Sequence, residues 1–352
     1  MLTPRLAAGL ATLTRTLALA LALSVTLAPF NVRSAAAAPL TAEDYQRVVD
    51  EAYAKFKDVK DGANADYIPI LATVPSEMFG IALVTRDGKI YAAGEQKYEF
   101  SIQSVSKPFT ASLIMAEQGP KVLREKIGVE PTGLPFNSKL AMELYESRSV
   151  NPLVNAGAIA AVSLVQADSE QARWNKVLGN IEAYAGRKLQ VLEEVYDSEY
   201  ETAWSNRGIA NLLFNYGRLY SDPEEALRVY TRQCSIGINT RDLGIMGATL
   251  ANEGVNPFTG KRVLDAEDVP ELLAIMATAG FYDESGEWMY RSGLPAKTGV
   301  GGGIVAVVPG KFAIATFSPP LNEAGNSVRG LKAINYISGE LGVGLFGPNR
   351  SE

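Results

Sequence analysis

Phe100-Ser101-Ile102-Gln103-Ser104-Val105-Ser106-Lys107-Pro108-Phe109 carries an S-x-x-K tetrad, Ser104 to Lys107, in a chain of 352 residues without a single histidine. Lacking imidazole, the chain has no access to the usual general base of serine and cysteine hydrolases. A lysine beside the serine is the group that takes its place. The tetrad alone says little, since about one is expected by chance at this length, but its flanks add to it. Upstream, Gly80-Ile81-Ala82-Leu83-Val84-Thr85 and Ile90-Tyr91-Ala92-Ala93-Gly94 enclose Arg86-Asp87-Gly88-Lys89, a β-hairpin pattern with Asp-Gly at its tip. Downstream, Phe109, Leu113 and Met115 among small residues predict a buried helix. Pro108 is tolerated in a first turn, so that helix begins near Ser104. A separation of three then puts Ser104 and Lys107 on one face, at a helix end that favours negative charge.

A second signal is Lys297-Thr298-Gly299, followed by Val300-Gly301-Gly302-Gly303. K-T-G arises by chance in roughly one chain in ten of this length. It leads into Ile304 to Val308, a Pro309-Gly310-Lys311 turn and Phe312 to Phe317, a second hairpin expected in the same sheet. The glycines are expected to let the strand edge approach a substrate; the alternative is a glycine-rich connection with Lys297 as a solvated charge. S-x-x-K early and K-T-G late is the order of serine β-lactamases and penicillin-binding proteins.

Between these markers the chain resembles the serine-dependent glutaminases. The matching runs are Asp66-Tyr67-Ile68-Pro69, Gln103 to Pro108, Asn151 to Ile159, Ser198-Glu199-Tyr200-Glu201 with Asn206, Tyr230 to Ser235, Gly280-Phe281-Tyr282-Asp283, Gly293 to Val300, and Ser318-Pro319-Pro320-Leu321. They span about residues 60 to 335. The resemblance implies an α/β (α+β) β-lactamase-like fold and hydrolysis of L-glutamine to L-glutamate and ammonia. It also implies a homo-oligomer, and a pocket lined by Asn155, Glu199, Asn206, Tyr230, Tyr282 and Val300 together with Ser104.

The residues suggest roles of their own. Ser104 is the candidate nucleophile and Lys107 its base, with a pKa lowered by burial or neighbouring cations; otherwise Lys107 only orients the serine. Tyr67 and Tyr282 are candidate proton relays to the leaving ammonia, or packing residues. The backbone N–H groups of Ser104 and Val300 are candidate oxyanion donors. Glu199 suits an α-ammonium group, and amide side chains with backbone donors suit an α-carboxylate. Against this, Glu193, Glu194, Asp197 and Glu201 crowd Glu199 in a run that reads as a solvated face. Asn155 and Asn206 also read as turn or capping residues. Two other readings share the markers: a penicillin-recognising hydrolase or D,D-peptidase, and a silent sensor that binds glutamine without turnover.

A net charge of −6 argues against nucleic acid or an anionic membrane as partner. The lone Cys234 permits no intrachain disulfide and reads as a small core residue. No metal or organic cofactor is expected, with no histidine and one cysteine on offer. Residues 1–38 read as a leader: Arg5 and Arg15, an apolar stretch from Leu17 to Phe30, then Ser34-Ala35-Ala36-Ala37-Ala38. Export is therefore expected, with no stable membrane association after processing. An uncleaved anchor is the alternative, and bacterial members of the family mostly lack such a leader. Residues 39–352 are expected to form one catalytic domain of two lobes, with an antiparallel sheet lobe built from both ends and a mainly helical lobe inserted between them. The site is expected at their junction. Helices are predicted over Thr41 to Lys60, Val154 to Leu164 and Gly208 to Tyr216. A last one is opened by Asn326 and faced by Val328, Leu331, Ile334, Ile337 and Leu341.

Overall fold

Both predicted hairpins form, and they pair with each other. In a computed structural model describing residues 40–347, the strands are β1 (Gly80–Thr85), β2 (Ile90–Gly94), β3 (Phe100–Ser101), β4 (Gly237–Ile238), β5 (Ala296–Thr298), β6 (Gly303–Val308) and β7 (Phe312–Phe317). The leader expected over residues 1–38 lies outside the described residues. Five strands make an antiparallel sheet in the order β2–β1–β7–β6–β5. Leu83 of β1 stands opposite Ile314 of β7, so the two ends of the chain close one sheet.

The sheet is buried on both faces, which explains why β1, β6 and β7 read as near-continuous apolar runs. Ile81, Leu83, Ile304 and Ile314 pack under the first and last described helices, Ala42–Phe56 and Val328–Leu341. Val305, Val307, Ala313 and Ala315 on the other face belong to one core with the helical block. The helix Thr240–Ala251 lies across that face at close range: a Cβ on Gly247 would stand 2.6 Å from both Ala313 Cβ and Val305 Cγ2. Only a glycine fits at that contact.

Three helix boundaries differ from expectation. Thr41 caps the first helix with a reciprocal bond to Asp44, but the helix stops at Phe56 rather than Lys60. Lys57, Asp58, Lys60 and Asp61 offer no apolar face to bury. The helix predicted over Gly208 to Tyr216 starts earlier, at Trp204. Ser327, not Asn326, caps the last helix by accepting from the Gly330 amide. The Asn326 side chain instead donates to Glu284 Oε2 at 2.5 Å.

Candidate active site

Ser104 sits in a 3₁₀ turn, Gln103–Ser106, that runs directly into the helix Lys107–Gln118, with Pro108 in its first turn. The turn is held from behind by a buried chain of hydrogen bonds. Thr110 Oγ1 donates to Gln233 Oε1 (2.5 Å), Gln233 Nε2 to Ser106 Oγ (2.9 Å), and Ser106 Oγ to the Gln103 carbonyl (2.6 Å). From the front, the glycines after K-T-G press on it: a Cβ on Gly301 would stand 2.5 Å from the Ser101 carbonyl, and one on Gly299 3.0 Å from Val105 Cγ2. The expectation that these glycines admit a substrate is corrected at those two positions. What they admit is the serine's own turn.

Lys107 Nζ donates to Ser104 Oγ at 2.9 Å and to Asn155 Oδ1 at 2.6 Å. The side chain is 1% exposed. Burial pulls its pKa from the ordinary 10.5 down to about 8, against smaller opposing contributions from Cys234 and Glu199. Asn155 opens the helix Asn155–Leu164, yet its side chain caps nothing. Its Oδ1 also accepts from the Tyr230 hydroxyl at 3.2 Å, and its Nδ2 donates to Asn206 Oδ1 at 2.8 Å. One asparagine thus gathers Lys107, Tyr230 and Asn206.

Glu199 parts company with its acidic neighbours. Glu193, Glu194, Asp197 and Glu201 are exposed, whereas Glu199 is 6% exposed and accepts from Gln103 Nε2 at 3.0 Å. Burial raises its pKa to about 7, opposed by the Gln103 bond and by Lys107. Glu199, Ser104, Asn155, Asn206, Tyr230, Val300 and Tyr67 line one pocket. Tyr67 stands at the rim, 51% exposed, and burial around its hydroxyl with Glu199 nearby keeps that group protonated far above neutrality. A larger apolar cavity between Met115, Leu123 and Ile275 holds none of these residues.

Tyr282 reaches the serine from the other side. Its hydroxyl donates to the Thr298 carbonyl at 3.4 Å, and Lys107 Nζ stands 6.0 Å from its ring centre; burial raises its pKa, with Ser104 opposing. Every sequence-predicted site residue therefore falls within this one neighbourhood. Three further residues stand here without a role assigned from sequence. Phe136 lines the pocket between Tyr67 and Tyr282, with ring centres 6.4 and 4.9 Å away. Gln103, the residue before the tetrad's serine, lines it too. Lys297 had its K-T-G signal but no role, and it is not the solvated charge weighed above. Fully buried, it donates to the Thr298 (2.7 Å) and Gly280 (3.1 Å) carbonyls and lies 4.1 Å from the Tyr282 ring centre. Burial, then repulsion from Lys107, lowers its pKa well below 10.5.

A helix-borne serine and lysine set against a K-T-G strand, on an antiparallel sheet interrupted by a helical block, is β-lactamase-like architecture. Within that class the family described as Glutaminase matches residues 62–346, and the chain belongs to it. A glutaminase of Colwellia psychrerythraea is 53% identical over 301 residues, covering 86% of this chain and 97% of the relative. The solved structure of the probable glutaminase ybaS aligns with a TM-score of 0.86 at 50% identity, over 87% of this chain and 99% of that one. The Bacillus subtilis glutaminase YbgJ, solved as a covalent complex with 5-oxo-L-norleucine formed by reaction with 6-diazo-5-oxo-L-norleucine, aligns at 0.77. It is 29% identical, over 87% of this chain and 99% of its own.

Proposed function

We propose that the protein hydrolyses the side-chain amide of L-glutamine to L-glutamate and ammonia through a glutamyl ester on Ser104. The observation that carries this is the 2.9 Å contact between Lys107 Nζ and Ser104 Oγ, buried beside Asn155 and facing Glu199 across one pocket. With a pKa of about 8, roughly one Lys107 in ten is a neutral amine at pH 7. That amine accepts the Ser104 proton as Oγ attacks the amide carbon. The N–H groups of Ser104 and Val300 receive the oxyanion. The C–N bond breaks as the nitrogen takes up a proton, and ammonia leaves. Water then adds to the ester, its proton passing back through Lys107, and glutamate departs with Ser104 restored.

Tyr282, buried with its ring centre 6.0 Å from Lys107 Nζ, is the better placed of the two tyrosines to relay the proton, with Tyr67 covering the rim. Glu199 takes the α-ammonium group, while Asn155, Asn206 and backbone donors hold the α-carboxylate. The covalent adduct of the YbgJ relative supports a nucleophilic enzyme. Export by way of the leader and assembly as a homo-oligomer belong to the same proposal. The first is supported by the leader's composition and the second by the family resemblance. The test is ammonia release from a panel of amides by purified mature protein and by Ser104→Ala. The wild type should release ammonia from L-glutamine, and the folded variant should bind glutamine without turning it over. Substantial release by the variant would refute the acyl-enzyme.

A further inference from the structure

Gln103 is bonded at both ends. Its backbone lies in the left-handed region at φ 47°, which residues other than glycine rarely adopt, and the Ser106 hydroxyl holds its carbonyl there. Its side chain turns the other way and donates to Glu199; among the described residues it is the one hydrogen-bond donor to that carboxylate. The other titratable groups facing Glu199 are Lys107 on the serine's helix, Tyr67 ahead of Pro69–Ala72, and Tyr230 and Cys234 on the helix Pro223–Cys234. Of these only Lys107 brings positive charge, and its ammonium is spent on Ser104 and Asn155.

We propose that Gln103 is a positioning residue. Its backbone sets Ser104 and its amide keeps Glu199 charged and oriented, so one residue fixes the spacing between the ammonium anchor and the attacked amide. This rests on Glu199 binding the α-ammonium group of glutamine. The Gln103 bond lowers the Glu199 pKa against burial, so losing it should make Glu199 harder to ionise. Ammonium binding should then suffer most where the carboxyl holds its proton.

The experiment compares Gln103→Met, which keeps the length but donates nothing, with Gln103→Gly, which accepts the positive φ and donates nothing. KM for L-glutamine and kcat are measured from about pH 6 to about pH 9. In both variants KM should exceed the wild-type value by roughly tenfold near pH 6, as befits a lost hydrogen bond to a charged group. The ratio should shrink as pH rises and Glu199 ionises unaided, with kcat changing less than KM in the glycine variant. Should the methionine variant fail to fold, the glycine variant carries the test. An unchanged KM near pH 6, or a loss of the same factor at every pH, overturns the positioning role. If the wild type itself releases no ammonia from L-glutamine, the glutaminase assignment falls and takes this inference with it. Wild-type turnover beside a flat KM ratio removes the inference alone.

Discussion

Replacing Lys107 with methionine should abolish turnover and yet stabilise the protein at pH 7. The drop in the Lys107 pKa from 10.5 to about 8 corresponds to about 3 kcal/mol of penalty on holding the ammonium in the folded state. Methionine fills a similar volume without that charge. The losses on the other side are small. Asn155 Oδ1 still accepts from Tyr230, so the substitution strands no acceptor there, and each lost hydrogen bond is worth about 1 kcal/mol. A net gain of about 1–2 kcal/mol at pH 7 follows. The sign depends on pH. With the folded pKa below the unfolded one, the wild-type penalty is complete below about pH 8 and is relieved as pH climbs toward 10.5. The variant's advantage should therefore vanish and reverse by about pH 10. Urea unfolding of both proteins at pH 7, 8, 9 and 10, with ammonia release measured alongside, makes the comparison. A stability difference that does not change over that range would refute the claim that a buried, destabilised ammonium sits at this position. An active methionine variant would refute its use as the base.

Glu199→Gln should raise KM well above any fall in kcat, because an ammonium contact is equal in ground and transition states. Wild-type KM should fall as pH rises through about 7 and the variant should lose that dependence; parallel KM profiles would return Glu199 to a structural part. N-acetylglutamine should be a poor substrate, since blocking the amino group leaves buried polar groups unpaired at about 1–3 kcal/mol each. Penicillins should leave Ser104 unlabelled for the same reason, and mass spectrometry of the intact protein checks both the adduct and its absence. Gly247→Ala should destabilise by about 1–3 kcal/mol despite alanine's helix propensity, because its Cβ would stand 2.6 Å from Ala313 and Val305. A denaturation midpoint at or above the wild type's would show that helix and sheet part freely there.

The hairpins and the serine's helix were legible because their cues are local: apolar runs broken by Asp87-Gly88 and Pro309-Gly310, and a proline where a first turn tolerates it. The pocket residues were legible only through resemblance. Glu199 looks like Glu193, Glu194, Asp197 and Glu201 in sequence, and tertiary packing alone separates the buried carboxylate from the exposed ones. Asn326 carries a sound capping signal but spends its side chain on Glu284, 42 residues away, leaving the cap to Ser327. The positive φ of Gln103 leaves no trace in composition, and the burial of Lys297 depends on strands and a helix end brought together by the completed sheet.

The pairing of β1 with β7 has a consequence for a chain still being made. Leu83 leaves the ribosome on the order of 10–50 s before its partner Ile314, at typical rates of synthesis. During that interval β1 presents an unpaired edge, and Ser104 lacks the K-T-G strand that closes over it. A nascent polypeptide that ends ahead of β5 lacks both the closing strand and the sheet residues that complete the core of its helical block, so it cannot deamidate anything. Competence arrives with the last strands, late and all at once, and any truncation ahead of residue 296 forfeits it. Selection on β1 must then answer to two demands, a tight fit to β7 in the finished protein and restraint from sticking to other chains while it waits.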